Sequence, residues 1–172
     1  MSVVPTPIYI RGIAIKNNTA RCRGAHAIYW GEDSPKKLVD YIIFDAHEQR
    51  AELHAIIRIL NLAAARKVEH IIIYTKLTYL LMILADLEMD KLKNNNWKDE
   101  HGKEVEHKDL LEKINTLRGQ VNFTVLPLKD SNRVQTLTKS LSSLFAKIGH
   151  RAHEGTSVDT IEEEDYLRIN TI

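Results

Sequence analysis

Two periods of apolar and polar positions run through this chain, and the changes from one to the other mark out its elements. Residues 47–76 show this best. Leu53, Ile56, Ile57, Leu60 and Ala64 recur at helical spacing and give one helix face to a core. Arg66 and Lys67 supply the positive charge that a helix C-terminus favours. Residues 71–75 then form a β-branched run with almost no polar relief, which suits a strand covered on both faces in a parallel sheet. Two polar residues stand out. Glu52 lies in the first turns of the helix, and Lys76 follows the strand, where an α/β sheet usually builds its site.

Upstream, residues 8–15, 24–30 and 38–44 read as strands joined by short polar loops, an antiparallel meander. The crossover through the helix predicts that residues 71–75 join them in parallel. Downstream, residues 77–89 read as one helix that is apolar nearly all round. Leu77, Leu80, Leu81, Met82, Ile83, Leu84 and Leu87 cannot share one stripe, so this helix is either buried on most sides or covers a partner. Residues 91–102 are polar, with three asparagines before Trp97, and read as a loop or handle. Residues 108–117 form an amphipathic helix and 121–126 a fifth strand. Residues 133–148 form a last helix with Val134, Leu137, Leu141, Leu144, Phe145 and Ile148 inward. The expectation is an α/β domain over 7–148, a five-stranded mixed sheet with helices on both faces. A short tail, 1–6, precedes it. A flexible acidic tail, 149–172, follows, with Glu162 to Asp165 as its charge run.

Composition changes this picture little. The chain has 172 residues, 44% hydrophobic and 27% charged, enough for one ordinary core. Lys and Arg number 24 against 23 Asp and Glu, so the basic excess usual in a nucleic-acid binder is missing. Cys22 is the only cysteine, which excludes an internal disulfide and favours a reducing compartment. It falls in a polar turn with no partner histidine, a poor setting for a nucleophile. His47 with His54, and His150 with His153, make no convincing metal set. No signal peptide or membrane helix is expected, and an intracellular home, nucleus or cytoplasm, follows.

The element order, with Tyr29-Trp30-Gly31, Gln49-Arg50-Ala51-Glu52-Leu53-His54-Ala55, Ile73-Tyr74-Thr75, Asn96-Trp97 and Gly102-Lys103-Glu104-Val105, resembles cellular type I ribonuclease H over roughly 7–148. The resemblance implies enzymes that cut the RNA strand of an RNA–DNA hybrid with two Mg²⁺ ions held by four carboxylates. Hard cations want oxygen ligands, and the pair stabilises the attacking and leaving oxygens. At those carboxylate positions this chain carries Arg11, Glu52, Lys76 and Lys139, and Lys129 falls where the family has a mobile histidine. One charge pair at about 4 Å is worth roughly 4 kcal/mol at an effective dielectric near 20. Three reversals of sign therefore argue against any divalent metal, and no cofactor is expected. Arg11, Lys76 and Lys139 are expected to pair with Glu52 and fill the metal space. The alternative is loss of activity followed by drift, which would rarely choose a cation three times.

The resemblance also points to nucleic-acid contacts. Of the stretch that touches the hybrid, Gln49 is kept, while Glu48 and Asp45 would repel phosphate. Trp97, Lys93 and Lys98 remain in the handle. Arg11, Lys76 and Lys139 offer a new phosphate grip. Against the family pattern, polar positions in 77–89 have turned apolar. That predicts an interface through Leu77, Leu80, Leu81, Met82, Ile83, Leu84 and Leu87, unless a repacked handle covers it. The resulting expectation is a catalytically inactive ribonuclease H-like module. It would scaffold another protein, or a second copy of itself, in an RNA-related assembly. The alternative is a non-cleaving binder of RNA–DNA hybrid or double-stranded RNA.

Overall fold

A computed structural model describes residues 4–16, 22–30, 36–42 and 47–130, with Asn132, Gln135, Thr136 and Lys139 beyond. The meander is present as β1 (Thr6–Lys16), β2 (Cys22–Trp30) and β3 (Lys36–Ile42). α1 (Glu48–Ala65) crosses to β4 (His70–Thr75). α2 (Thr78–Ile83), α3 (Asp86–Asn94), α4 (Lys108–Leu117) and β5 (Asn122–Pro127) follow. The sheet order is β3-β2-β1-β4-β5. β1 and β2 run antiparallel, with Gly12 opposite His26, and β3 extends that pairing. β4 is parallel to both β1 and β5, with Tyr9 beside Tyr74 and Ile73 beside Val125. The crossover through α1 thus adds β4 in parallel, as its length requires.

The core is built where the α1 stripe meets one face of the sheet. Leu53, Ile56, Ile59 and Leu60 of α1 are fully buried with Ile8 and Ile10 of β1, Ile28 of β2, and Ile71 and Ile73 of β4. Burying a side chain of this size contributes roughly 1.5–3 kcal/mol. Leu80, Met89, Leu110, Leu111 and Ile114 from α2, α3 and α4 belong to the same cluster. β4 itself alternates. Ile71, Ile73 and Thr75 are buried, while His70, Ile72 and Tyr74 are half-buried. The reading of this strand as equally covered on both sides is therefore corrected: its second face is only partly sheltered, and there Tyr9 and Tyr74 stack with ring centroids 5.0 Å apart. The helix expected over 133–148 and the tail after it lie outside the described residues, apart from Gln135, Thr136 and Lys139, which are helical, as is Asn132 just before them.

Three further readings are corrected. Residues 77–89 are two helices, not one, broken where Ala85 takes an extended conformation (φ −63°, ψ 136°). The break lets two short apolar stripes face the core in turn, so Leu80 and Leu84 are buried. The polar handle begins later than expected, because Lys91 to Asn94 complete α3. It then turns through Asn96 and Trp97, both with positive φ. The Asp99 Oδ1 atom organises the turn by accepting from the backbone N–H groups of His101 and Lys103 at 2.9 Å each. Cys22 opens β2 opposite Lys16 rather than lying in a turn.

Candidate functional site around Glu52

Glu52 projects from the second turn of α1 into the sheet and is completely buried. Its Oε1 accepts the backbone N–H of Gly12 at 2.9 Å. Its Oε2 accepts the Thr75 hydroxyl in a short hydrogen bond. The Thr75 hydroxyl in turn accepts from the N–H of Leu77 at 3.0 Å. The Thr75 carbonyl accepts from the N–H of Leu128 at 2.7 Å. One carboxyl group thus ties α1, β1 and β4 together, and through Thr75 the start of α2 and the exit from β5. Burial pushes the Glu52 carboxyl up to about 7. The bonds from Thr75 and Gly12 and the nearby Arg11 charge oppose this, and Glu48 reinforces it.

Glycine at position 12 follows from the same geometry. A Cβ there would sit 2.7 Å from Glu52 Cγ and 2.8 Å from the Glu48 carbonyl oxygen, so α1 can approach β1 this closely only where the side chain is missing. Arg11 precedes Gly12 and is half-buried; its Nε is buried without a hydrogen-bond partner. Lys76, Lys129 and Lys139 are exposed. Among the described residues, none of these four cations forms an ion pair, and the hydrogen-bond partners of Glu52 are neutral. The expected pairing of Glu52 with Arg11, Lys76 and Lys139 is therefore corrected. Glu52 turns inward to a backbone amide and a hydroxyl, and the lysine chains reach water. No group of three or more His, Cys, Asp or Glu able to hold a metal occurs among the described residues.

The nucleic-acid candidates do not gather. Gln49, in the first turn of α1, lines a concavity of about 370 Å³ with Ala14, His47, Glu48, Leu77 and Glu106. Lys93 lines a different one of about 520 Å³, beside Asp86, Asp90, Asn115 and Arg118. Lys98 is exposed in the handle. Trp97 is 8% exposed and packs into the core cluster, so it is a core side chain and offers no stacking face. The apolar candidates divide. Leu80 (0% exposed) and Leu84 (5%) are core residues; Leu77, Leu81 and Ile83 are half-buried; Met82 (66%) and Leu87 (81%) stand in solvent.

Sequence reasoning passed over several groups. Thr75 carried a strand pattern and no hint of its bond to Glu52. Arg50 makes a two-pronged bond to Asp109, at 3.1 and 2.6 Å, that joins the start of α1 to the start of α4. It raises the Arg50 pKa and lowers that of Asp109. His26 is buried on β2, and neither of its ring nitrogens has a partner. Burial, then the Arg58 charge, pushes it down to about 3. Burial likewise takes His54 down to about 4, helped by the charge of His26. Opposite-face strand and helix positions met here, a pairing that spacing along the chain does not encode.

Known proteins supply the context. The ribonuclease H family matches residues 6–129. Ribonuclease H1 of rat and of human are each 26% identical over 102 residues, 59% of this chain. The chain spans about a third of those relatives, 35% of their length. Among solved structures, the PFV RNase H domain in solution covers 96% of this chain and 92% of its own, with a TM-score of 0.55 at 16% identity. A foamy viral protease-reverse transcriptase in complex with RNA/DNA hybrid covers 83% of this chain and 20% of its own, with a TM-score of 0.61 at 14% identity. At such identities these two structures speak for the fold. The α1 helix seated on a mixed sheet of the same kind, and a family match that runs from β1 past β5, place the chain in the ribonuclease H family.

Proposed function

We propose that this chain is a ribonuclease H-family domain that does not hydrolyse nucleic acid and works instead as an interaction and scaffolding module in an RNA-related assembly inside the cell. The carrying observation is the state of Glu52. It is the only carboxylate left at the four family positions, and both its oxygens already accept from Gly12 and Thr75. Two divalent ions need several free oxygen ligands. This donor set does not fit them: the two residues that bind Glu52 are flanked by cations, Arg11 before Gly12 and Lys76 after Thr75. Met82 and Leu87, the apolar side chains exposed on α2 and α3, are the surface that docks on another protein or on a second copy. No helix among the described residues is long and apolar enough to cross a membrane.

The test is hydrolysis of an RNA–DNA hybrid by purified protein with Mg²⁺ or Mn²⁺. The expected rate is that of the protein-free control. Cleavage that disappears in Glu52→Gln would overturn the reading. For the docking surface, Met82→Glu with Leu87→Glu is expected to abolish self-association or partner capture while leaving the melting transition in place. A second reading, a non-cleaving binder of RNA–DNA hybrid or double-stranded RNA, draws support from Arg11, Lys76, Lys129 and Lys139, cations that form no ion pair among the described residues. Fluorescence anisotropy with a hybrid, at low and moderate salt, separates the two: salt-sensitive binding favours the second reading.

A further inference from the structure

We propose that Arg11, Lys76 and Lys129 form a metal-free binding site for a phosphate-class oxyanion where β1, β4 and the exit of β5 meet. The inference rests on the reading that this site holds no metal pair.

The hydrogen bonds fix the meeting point. Gly12 N–H and the Thr75 hydroxyl both bind the one Glu52 carboxyl, and Leu128 N–H binds the Thr75 carbonyl at 2.7 Å. Arg11 precedes Gly12, Lys76 follows Thr75 and Lys129 follows Leu128. Each cation is therefore the chain neighbour of a residue pinned to the same node. The parallel register carries the same message. Tyr9 lies beside Tyr74, so continuing the pairing two residues brings Arg11 alongside Lys76.

Chemistry then selects the ligand. None of the three cations forms an ion pair among the described residues, although the Arg11 charge acts on the buried Glu52 carboxyl. Solvated surface lysines alone would mean little, because water satisfies them. Arg11 differs: its Nε is shut off from water and has no acceptor, an expensive state for a charged donor. A tetrahedral oxyanion supplies acceptors to the guanidinium fork and to two ammonium groups at once. The opposing charges here are Glu52 itself, buried behind Gly12 and Thr75, Glu48, exposed at the start of α1, and Asp130, exposed next to Lys129 in the chain.

The oxyanion comes either from a nucleic-acid backbone or from a free phosphate. Calorimetric titration of the full chain, at low salt with EDTA present, tests both with pyrophosphate in one arm and a short RNA–DNA hybrid in the other. Saturable pyrophosphate binding that weakens at least tenfold in Lys76→Gln/Lys129→Gln is expected. Both lysines are exposed, so that double variant should fold even where Arg11→Gln does not. Hybrid binding displaced by pyrophosphate identifies the backbone as the source; pyrophosphate binding without hybrid binding identifies a free phosphate. Failure of pyrophosphate to bind, or pyrophosphate binding unchanged in the double variant, overturns the inference. Because EDTA removes divalent ions, neither result depends on the hydrolysis assay, and the non-hydrolytic reading stands or falls separately.

Discussion

The Glu52 node and the α2–α3 segment both depart from the ribonuclease H pattern, and they absorb the departure in opposite ways. At the node the resemblance implies charges of changed sign, yet the buried group has neutral partners from two strands, β1 and β4. The new cations project outward or stop short of pairing. In α2 and α3, positions that the resemblance expects to be polar are apolar. A break at Ala85 turned Leu80 and Leu84 into the core and left Met82 and Leu87 outside. Where the backbone is held by sheet register and a buried hydrogen-bond network, a sequence change alters chemistry and leaves geometry alone. Where short helices can break, the same kind of change is divided between core and surface.

The sharpest way to break this comparison is within α2 itself. Leu80→Ala removes a fully buried side chain and is expected to cost about 4 kcal/mol by chemical denaturation, whereas Met82→Ala, two residues away, should change stability by less than about 0.5 kcal/mol. Equal effects would mean that α2 does not divide as described.

At the node the expected signature is a pH dependence. The folded-state value of Glu52, about 7, lies above the ordinary 4.5, so the folded chain holds a proton that the unfolded chain releases. The stabilisation is complete below about pH 4.5, falls as pH rises towards 7 and is gone above it, a change of about 3 kcal/mol. His26 and His54, held down to about 3 and about 4, contribute the opposite slope below about pH 6.5, so the Glu52 signature is the difference between parent and Glu52→Gln in urea titrations at several pH values. A difference that does not change between pH 4.5 and 7 would contradict the assignment to Glu52.

Gly12→Ala drives a methyl group against Glu52 and the Glu48 carbonyl and is expected to cost about 2 kcal/mol. Gly119→Ala, whose nearest neighbour would be 3.5 Å away, serves as the control and should be nearly neutral. The smallest effect belongs to Arg50 and Asp109, whose side chains are 27% and 57% exposed. A double-mutant cycle should give a coupling of about 0.5 kcal/mol that shrinks as salt is raised.

Much of this was legible in the sequence where the signal is local. The α4 helix lies at 108–117 as its apolar spacing indicates, and α1 and β4 lie within a residue or so of their pattern. The degenerate carboxylate set rests on the family resemblance alone, which needs only residue identities. What escaped depends on contacts between distant positions. Nothing beside Ala85 marks a break: no glycine or proline is there, and the break pays off only through Leu80 and Leu84 reaching the core. Trp97 looked like a surface aromatic among asparagines because its burial comes from tertiary packing. The neutral partners of Glu52 escaped because charge arithmetic treats all four positions as one pocket, while the strand pleat sends Arg11 and Gly12 to opposite sides of β1. Residues 133–148, expected to form the last helix, lie largely outside the described positions.

The central claim is that the Glu52 carboxyl is a structural tie and not a metal ligand. Mn²⁺ titration of the purified chain, followed by the loss of the free-ion electron paramagnetic resonance signal, tests it most directly. The account predicts no saturable binding at millimolar Mn²⁺ and no difference between the parent and Glu52→Gln. Stoichiometric binding that vanishes in Glu52→Gln would contradict it.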